Sequence, residues 1–380
     1  MEDLKKIEKL LDKSKEVFKD CLLENGCLIA APEHMPYYPK RAANYGYCWP
    51  GRDLGFNATG ALLLGIDCFK QLTDWVWNRA EGFQKPIKPN PPGLLYRNYH
   101  PNGRIYLTAL QADQVGTLLW ALGEYGKSHT LTKTMEKIVK LSTSALIEIW
   151  DNEHFGVTIE DLWEERSTHY TNKTNFAYTL AATSKGLEAS TRIFKNQKAK
   201  KAASQMKKII LKNGYNTKAK HFACRFEEKS ANTRDAVSLD SSILGLVWPY
   251  EIVDPKSEGF KNTLIELEEI LTDKYGVYRY QYDLYQGEME ENEYLKQGAG
   301  AWPLLTFWLA IAFEKSGNHF KARKYYWDTI KHIGKENLIP EQIFPKDEKK
   351  IGVKPLLWSH MMFVHATNEL GYLKKPLPKK

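Results

Sequence analysis

The stretch Gly55-Phe56-Asn57-Ala58-Thr59-Gly60-Ala61-Leu62-Leu63-Leu64-Gly65 is apolar or small on nearly every side of a helical wheel. A helix hydrophobic all round is buried all round, so this segment predicts a helix with no face in water. Segments of the same kind recur at Gly116–Leu122, Phe176–Ala182 and Leu304–Ala310. Candidate buried helices begin near positions 52, 110, 173, 239, 298 and 356, at intervals of roughly 58, 63, 66, 59 and 58 residues, a near-regular helical-hairpin spacing.

Between them lie helices of a second kind. Leu4, Ile7, Leu11, Phe18 and Leu22 form one apolar stripe among Lys and Glu, and similar amphipathic patterns read at roughly 131–150, 196–213, 257–273 and 318–334, with Cys68–Arg79 as a sixth. Six inner and six outer helices predict an all-α (α/α)6 toroid. An irregular helical bundle and an open solenoid are the other architectures with this pattern. Pro- and Gly-rich linkers such as 86–92 and 340–355 precede inner helices rather than divide domains, so one domain over 1–373 is expected, followed by a basic tail at 374–380.

Composition narrows the function. An apolar share of 43% suffices for a large core, and no apolar run is long enough to span a bilayer. The first residues, Met1-Glu2-Asp3-Leu4-Lys5-Lys6, open a charged helix rather than an apolar secretion signal, which predicts a cytoplasmic protein. The net charge of +8 is spread over helix faces that also carry Glu, so a solvated surface is expected rather than a nucleic-acid or membrane partner. Five cysteines form no CxxC pair and no metal spacing, which predicts buried free thiols. HExxH, a Walker loop, the Rossmann glycine pattern, paired Asp-rich helical motifs and a serine nucleophile elbow are absent from the sequence.

Residues hard to explain as core cluster just before the inner helices. The third such segment, Asp161-Leu162-Trp163-Glu164-Glu165-Arg166, sets an indole beside two carboxylates. A flat aromatic face suits a sugar ring, and a carboxylic acid shielded by apolar surface can keep its proton and donate it. Adjacent glutamates are also common on a plain solvated face. His169-Tyr170-Thr171 follow, with His169 equally readable as a structural hydrogen-bonder.

The first segment, running from Asn44 through Tyr47 and Trp49 to Arg52-Asp53, offers a guanidinium and a carboxylate at a helix start. The pair could bind several hydroxyls of one sugar, or form a capping salt bridge. Gln111 and Asp113 hold the second segment. The fifth, Tyr278-Arg279-Tyr280-Gln281-Tyr282-Asp283, followed by Trp302, reads as a strand or an extended loop with one aromatic face. In the sixth, Glu341 is an isolated carboxylate between apolar neighbours, a candidate general base, and Trp358 follows.

With these motifs in order, the sequence resembles glycoside hydrolase family 15, the glucoamylase-like family, collinearly from about 26 to 372. The resemblance rests on Trp163–Thr171, Arg279–Asp283, Glu341-Gln342 and Pro355–Ser359. It implies a toroid with a pocket at its mouth that removes glucose from non-reducing ends of α-1,4- or α-1,6-linked oligosaccharides, with inversion and without metal or organic cofactor. Glu164 is then the general acid and Glu341 the general base, their carboxyl groups ~6.5–9.5 Å apart to admit a water. Arg52, Asp53 and Arg279 hold sugar hydroxyls, and Glu165 contacts the neighbouring sugar. Tyr47, Trp49, Asp113, Trp163, Trp302 and Trp358 complete the expected substrate-binding set.

Two departures from the family pattern stand out. Pro50-Gly51 puts one extra residue between Trp49 and Arg52, leaving the facing of Trp49 open, and a charged helix at the start predicts no amino-terminal β-sandwich. Alternative activities are a trehalase-type hydrolase, a disaccharide phosphorylase on the same fold, or a glucan-binding protein without catalysis. The sequence leaves the oligomeric state open.

Overall fold

Helices form where the two patterns place them. A computed structural model describes residues 2–32, 34–35, 43–168, 173–227, 239–285, 299–344 and 353–373. The outer helices are α1 (Glu2–Cys21), α3 (Phe69–Arg79), α5 (Lys133–Glu148), α7 (Gln197–Asn213), α8 (Glu258–Leu271) and α10 (His319–His332). Each buries one face. In α7 the buried residues are Ala199, Ala202, Ala203, Met206 and Ile210, the three-and-four spacing of a single stripe.

The inner α-helices are α2 (Arg52–Leu63), α4 (Ala112–Tyr125), α6 (Ala177–Ile193), α9 (Pro303–Ser316) and α11 (Leu357–Glu369). Burial is continuous from Arg52 to Ala61, from Ala112 to Gly123, from Pro303 to Phe313 and from Leu357 to Thr367. Pro303 opens α9, where its missing N–H costs nothing, and Gly317 stops the helix in the left-handed conformation at φ +86°.

The fourth inner position differs from the expected α-helix. It is a short 3-10 helix, Ser241–Leu246, capped by Asp240, whose Oδ1 accepts from Ser242 N at 2.8 Å. Pro249 follows in the next turn. Proline supplies no N–H and disfavours helical backbone at the residue before it, so the helix cannot continue there.

These inner elements close a ring. α2 packs on α4, α4 on α6, α6 on the 3-10 segment, that segment on α9, α9 on α11, and α11 back on α2. The outer helices follow: α5 lies on α4 and α6, α7 on α6, α10 on α9, and α1 on α11. This is the (α/α)6 toroid. Its centre is filled by aromatic rings, with Phe56 5.7 Å from Trp120, 6.0 Å from Trp248, 5.6 Å from Trp308 and 5.4 Å from Trp358. No described helix is long and apolar enough to cross a membrane. All five cysteines are free and buried.

Short hairpins, unforeseen from helical periodicity, decorate the loops before the inner helices. β1 (Tyr96–Tyr99) pairs with β2 (Ile105–Leu110), and β3 (Ile159–Glu160) with β4 (Ser167–Thr168), both antiparallel.

One buried chain ties the first helix to the last. Ile339 N–H donates to His360 Nε2 at 2.9 Å, which leaves the proton on Nδ1 to meet Ser14 Oγ at 2.9 Å, and Ser14 donates to Leu10 O at 2.8 Å. Burial, helped by the charge of Lys13, pushes the His360 imidazole down to about 3. The unfolded chain therefore takes up this proton from about pH 6.5 downward while the folded chain does not. Stability from His360 is fully present above about pH 6.5 and is lost progressively toward pH 3. Urea unfolding from pH 7 to pH 4 is expected to show a smaller loss of stability in His360→Gln than in the parent chain. Ser14→Ala should cost about 1–3 kcal/mol at pH 7, since it strands a buried N–H.

Candidate active site

The mouth of the ring holds a cavity of about 250 Å³ lined by residues from distant parts of the chain, among them Tyr45, Trp49, Arg52, Arg97, Trp163, Glu164, Arg279, Trp302, Glu341 and Trp358. It forms because loops preceding several inner helices converge on one end of the toroid.

The Trp163-Glu164-Glu165 segment is the turn between β3 and β4. Asp161 builds that turn from beneath. Its N–H donates to Arg166 O at 2.8 Å and its carbonyl accepts from Glu164 N at 3.1 Å. Its Oδ1 accepts from the N–H groups of Glu165 and Arg166 at 3.1 and 3.3 Å, and its Oδ2 from Arg166 Nε at 2.6 Å. Arg166 also pairs with Asp240, which accepts from Trp163 Nε1 at 2.9 Å. So tied, Glu164 adopts φ +66°, a left-handed backbone uncommon outside glycine and a form of strain that collects at functional sites. The turn thereby presents the Glu164 side chain to the cavity.

Three donors meet the Glu164 carboxylate. Trp49 Nε1 donates to Oε1 at 2.5 Å, Arg52 Nη1 lies 3.3 Å from Oε1, and Arg97 Nε donates to Oε2 at 2.7 Å. Arg52 is itself fixed by Asp53 Oδ1 at 2.8 Å and Leu162 O at 2.8 Å, and its guanidinium lies 4.9 Å from the centre of the Trp358 ring. Arg52 and Asp53 thus form the ion pair open to them, and both face the cavity. Burial pushes the Asp53 carboxyl up, against the pull of Arg52.

Glu341 enters from the loop before α11. Ala301 and Ile343 exchange hydrogen bonds of 2.8 Å in both directions, and Glu341 N donates to Val353 O at 2.8 Å, so the loop is pinned on both sides. The Glu341 side chain is buried at the cavity, and Tyr45 Oη donates to its Oε1 at 2.6 Å. Tyr45 in turn lies 2.6 Å from Tyr285 Oη.

Arg279 is held by both oxygens of Asp283 at 2.7 Å and reaches Glu165 Oε1 at 2.6 Å. Its guanidinium sits within 5.5 Å of the ring centres of Trp163, Tyr280, Tyr285 and Trp302. The Tyr-rich segment is therefore an irregular loop wrapped on a cation. Tyr282 points to solvent at 92% exposure.

Of the candidates read from sequence, ten line the cavity: Trp49, Arg52, Asp53, Trp163, Glu164, Glu165, Arg279, Trp302, Glu341 and Trp358. The extra residue before Arg52 does not turn Trp49 away. Two candidates lie elsewhere. The Tyr47 ring packs on His100 and Tyr106, at 4.4 and 4.8 Å, outside the cavity lining. Asp113 is fully buried on α4, where burial pushes its carboxyl up to about 7 against the charge of Arg52. His169, Tyr170 and Thr171 lie outside the described residues. Sequence reading missed Tyr45, Arg97 and Tyr285. Tyr45 and Tyr285 stand within segments already rich in unusual aromatics, whereas Arg97 sits in a hairpin that helical periodicity does not detect.

Residues 89–330 match the model of the family described as glycosyl hydrolases family 15. A protein of Methanocaldococcus jannaschii named as an uncharacterized glycosyl hydrolase is 28% identical over 374 residues, covering 90% of this chain. The chain spans about half of that relative, 52% of its length. A solved wild-type glycosidase superposes with TM-score 0.76 at 21% identity, covering 98% of this chain and 99% of its own. A bacterial glucoamylase complexed with acarbose gives TM-score 0.73 at 18% identity, covering 96% of this chain and 56% of its own. The glucoamylase of Saccharomycopsis fibuligera gives 0.69 at 19% identity, covering 97% and 96%.

If Asp161 builds the presenting turn, Asp161→Asn should weaken it by replacing an acceptor with an amide beside Arg166. The expected loss is about 1–3 kcal/mol in urea unfolding, the usual range for a hydrogen bond to a charged group.

Proposed function

The chain belongs to glycosyl hydrolases family 15, and from that premise we propose that it is an inverting, exo-acting α-glucosidase. It releases β-glucose from the non-reducing ends of α-1,4- or α-1,6-linked gluco-oligosaccharides in the cytoplasm. The observation that carries this reading is the meeting of Glu164 and Glu341, from two remote loops, on one small cavity walled by Trp49, Trp163, Trp302 and Trp358. The glucoamylase names of solved neighbours support glucose as the unit released.

In this mechanism Glu164, protonated, donates to the glycosidic oxygen as the bond to the anomeric carbon breaks. Glu341 takes a proton from a water attacking the opposite face of that carbon. Tyr45, donating to Glu341 Oε1, orients the base so that its other oxygen can face the water. The fork of Arg52, fixed by Asp53 and Leu162 O, and the carboxylate of Asp53 bind hydroxyls of the terminal sugar. Glu165, braced by Arg279, contacts the next sugar. Glu341 must be ionised and Glu164 protonated, so the rate follows a bell-shaped pH profile.

Glu164→Gln and Glu341→Gln should each lower kcat by roughly 10²–10⁴-fold with circular dichroism and melting temperature retained. Near-full activity in either variant sinks the assignment. A proton NMR time course on maltose, isomaltose and trehalose reports linkage and stereochemistry together. From maltose or isomaltose the non-reducing unit should appear as β-glucose, beside a reducing-end unit that keeps its own anomer mixture, so an early excess of α-glucose above that mixture contradicts inversion. Selective cleavage of trehalose, which by inversion yields one α- and one β-glucose, identifies a trehalase-type enzyme instead.

A further inference from the structure

Arg97 is unexpected at this site, because its guanidinium faces two carboxyl groups at once. Its Nε donates to Glu164 Oε2 at 2.7 Å, and its Nη1 lies 3.7 Å from Glu160 Oε2. The second separation is too long for a hydrogen bond. Glu160 Oε2 is enclosed, with no hydrogen-bond partner among the described residues. Arg97 stands on β1 and Glu160 on β3, the strand that leads into the Glu164 turn, so the two hairpins meet at this charge cluster.

We infer that Arg97 and Glu160 act as an opposed pair of positioning residues that sets how firmly Glu164 holds its proton, and with it the alkaline limit of hydrolysis. The inference rests on the reading of Glu164 as proton donor. A cation 2.7 Å from a carboxyl oxygen favours the ionised form, and a carboxylate nearby disfavours it. Glu160 offsets the pull of Arg97 in two ways: it draws on the same guanidinium, and where it is ionised its negative charge opposes a second one at Glu164. Burial pushes the Glu160 carboxyl up to about 7, with Arg97 pulling against it and Glu164 and Asp161 adding to it.

The other groups around Glu164 have fixed partners. From α2, Arg52 is neutralised by Asp53; from the turn itself, Asp161 is paired with Arg166, and Glu165 with Arg279. Asp113 on α4 acts on Glu164 through the buried interior, and Trp49 donates without carrying charge. Among the described residues Arg97 is thus a cation at Glu164 with no fully bonded counter-ion besides it, and so the handle by which protonation is tuned.

The test is the pH dependence of kcat/KM on maltose, or on whichever of the three disaccharides is cleaved, for the parent chain, Arg97→Leu, Arg97→Lys, Glu160→Gln and Glu164→Gln. Removing the cation should move the alkaline limb up by about 1 pH unit or more, and Arg97→Lys should return it toward the parent position. Removing the opposing carboxylate should move the limb down, by roughly half a unit. Residues with a merely structural role would lower the rate at every pH and leave the limb in place. Limbs that superpose on the parent in both Arg97→Leu and Glu160→Gln overturn the inference. If Arg97→Leu is too impaired to profile, the downward shift in Glu160→Gln decides alone, and its absence overturns it. Should Glu164→Gln keep parental activity and limb, the proton-donor reading itself fails, whatever the Arg97 variants do.

Discussion

The ring depends on inner helices touching backbone to backbone. A Cβ on Gly186 of α6 would stand 2.3 Å from Gly116 O of α4, and a Cβ on Gly116 would stand 2.5 Å from Ala182 C. No side chain fits there, so the two helices approach as closely as polypeptide allows. That contact fixes the spacing of α4 and α6. The centre of the ring is filled by the rings around Phe56, and side chains from the loops before α2, α4 and α6 meet at the mouth.

On that ring the candidate site is assembled by charge compensation. Arg52, Arg166 and Arg279 are each largely withdrawn from water and each meets at least two acceptors. Their carboxylate partners come from different elements: Asp53 from α2, Asp161 from the turn after β3, Asp240 from the cap of the 3-10 helix, and Asp283 from the Tyr-rich loop. Breaking such a pair leaves a buried charge uncompensated, which costs far more than the pair contributes over an apolar replacement. These pairs therefore serve placement more than stability. They hold Trp163, Glu164 and Glu165 in a turn whose backbone would otherwise avoid φ +66°.

The Arg97–Glu160 pair belongs to the same logic with one difference. Its contact is long and its acceptor has no hydrogen-bond partner among the described residues, unlike the tighter pairs. A site whose fixed charges are locked and whose adjustable charge is peripheral can tune acidity without moving its substrate-holding groups.

Much of this was legible in the order of residues. The all-round apolar stretches are buried helices over 55–61, 116–122, 177–182 and 304–310, whereas Leu62–Leu64 are half-buried and Gly65 is exposed where the first of them ends, because a helical period is a local property of the chain but the depth of burial is not. Trp163-Glu164-Glu165 and Glu341 stood out because carboxylates flanked by large apolar groups are costly to place without partners. The fourth inner helix shortened to a 3-10 turn because Pro249 and the Asp240 cap outweigh the apolar pattern. Tyr47 and Asp113 sat in the right segments but point elsewhere, since a segment's position does not fix a side chain's direction. By itself the sequence determined the alternation of one-faced and fully buried helices, while closure of the ring, against an open solenoid with the same pattern, is decided by α11 packing back on α2. Only the tertiary structure decided which side chains share the mouth: Arg97 with Glu164, and Tyr45 with Glu341. Contacts between residues so far apart in the chain depend on the packing distance between helices, which no local pattern encodes.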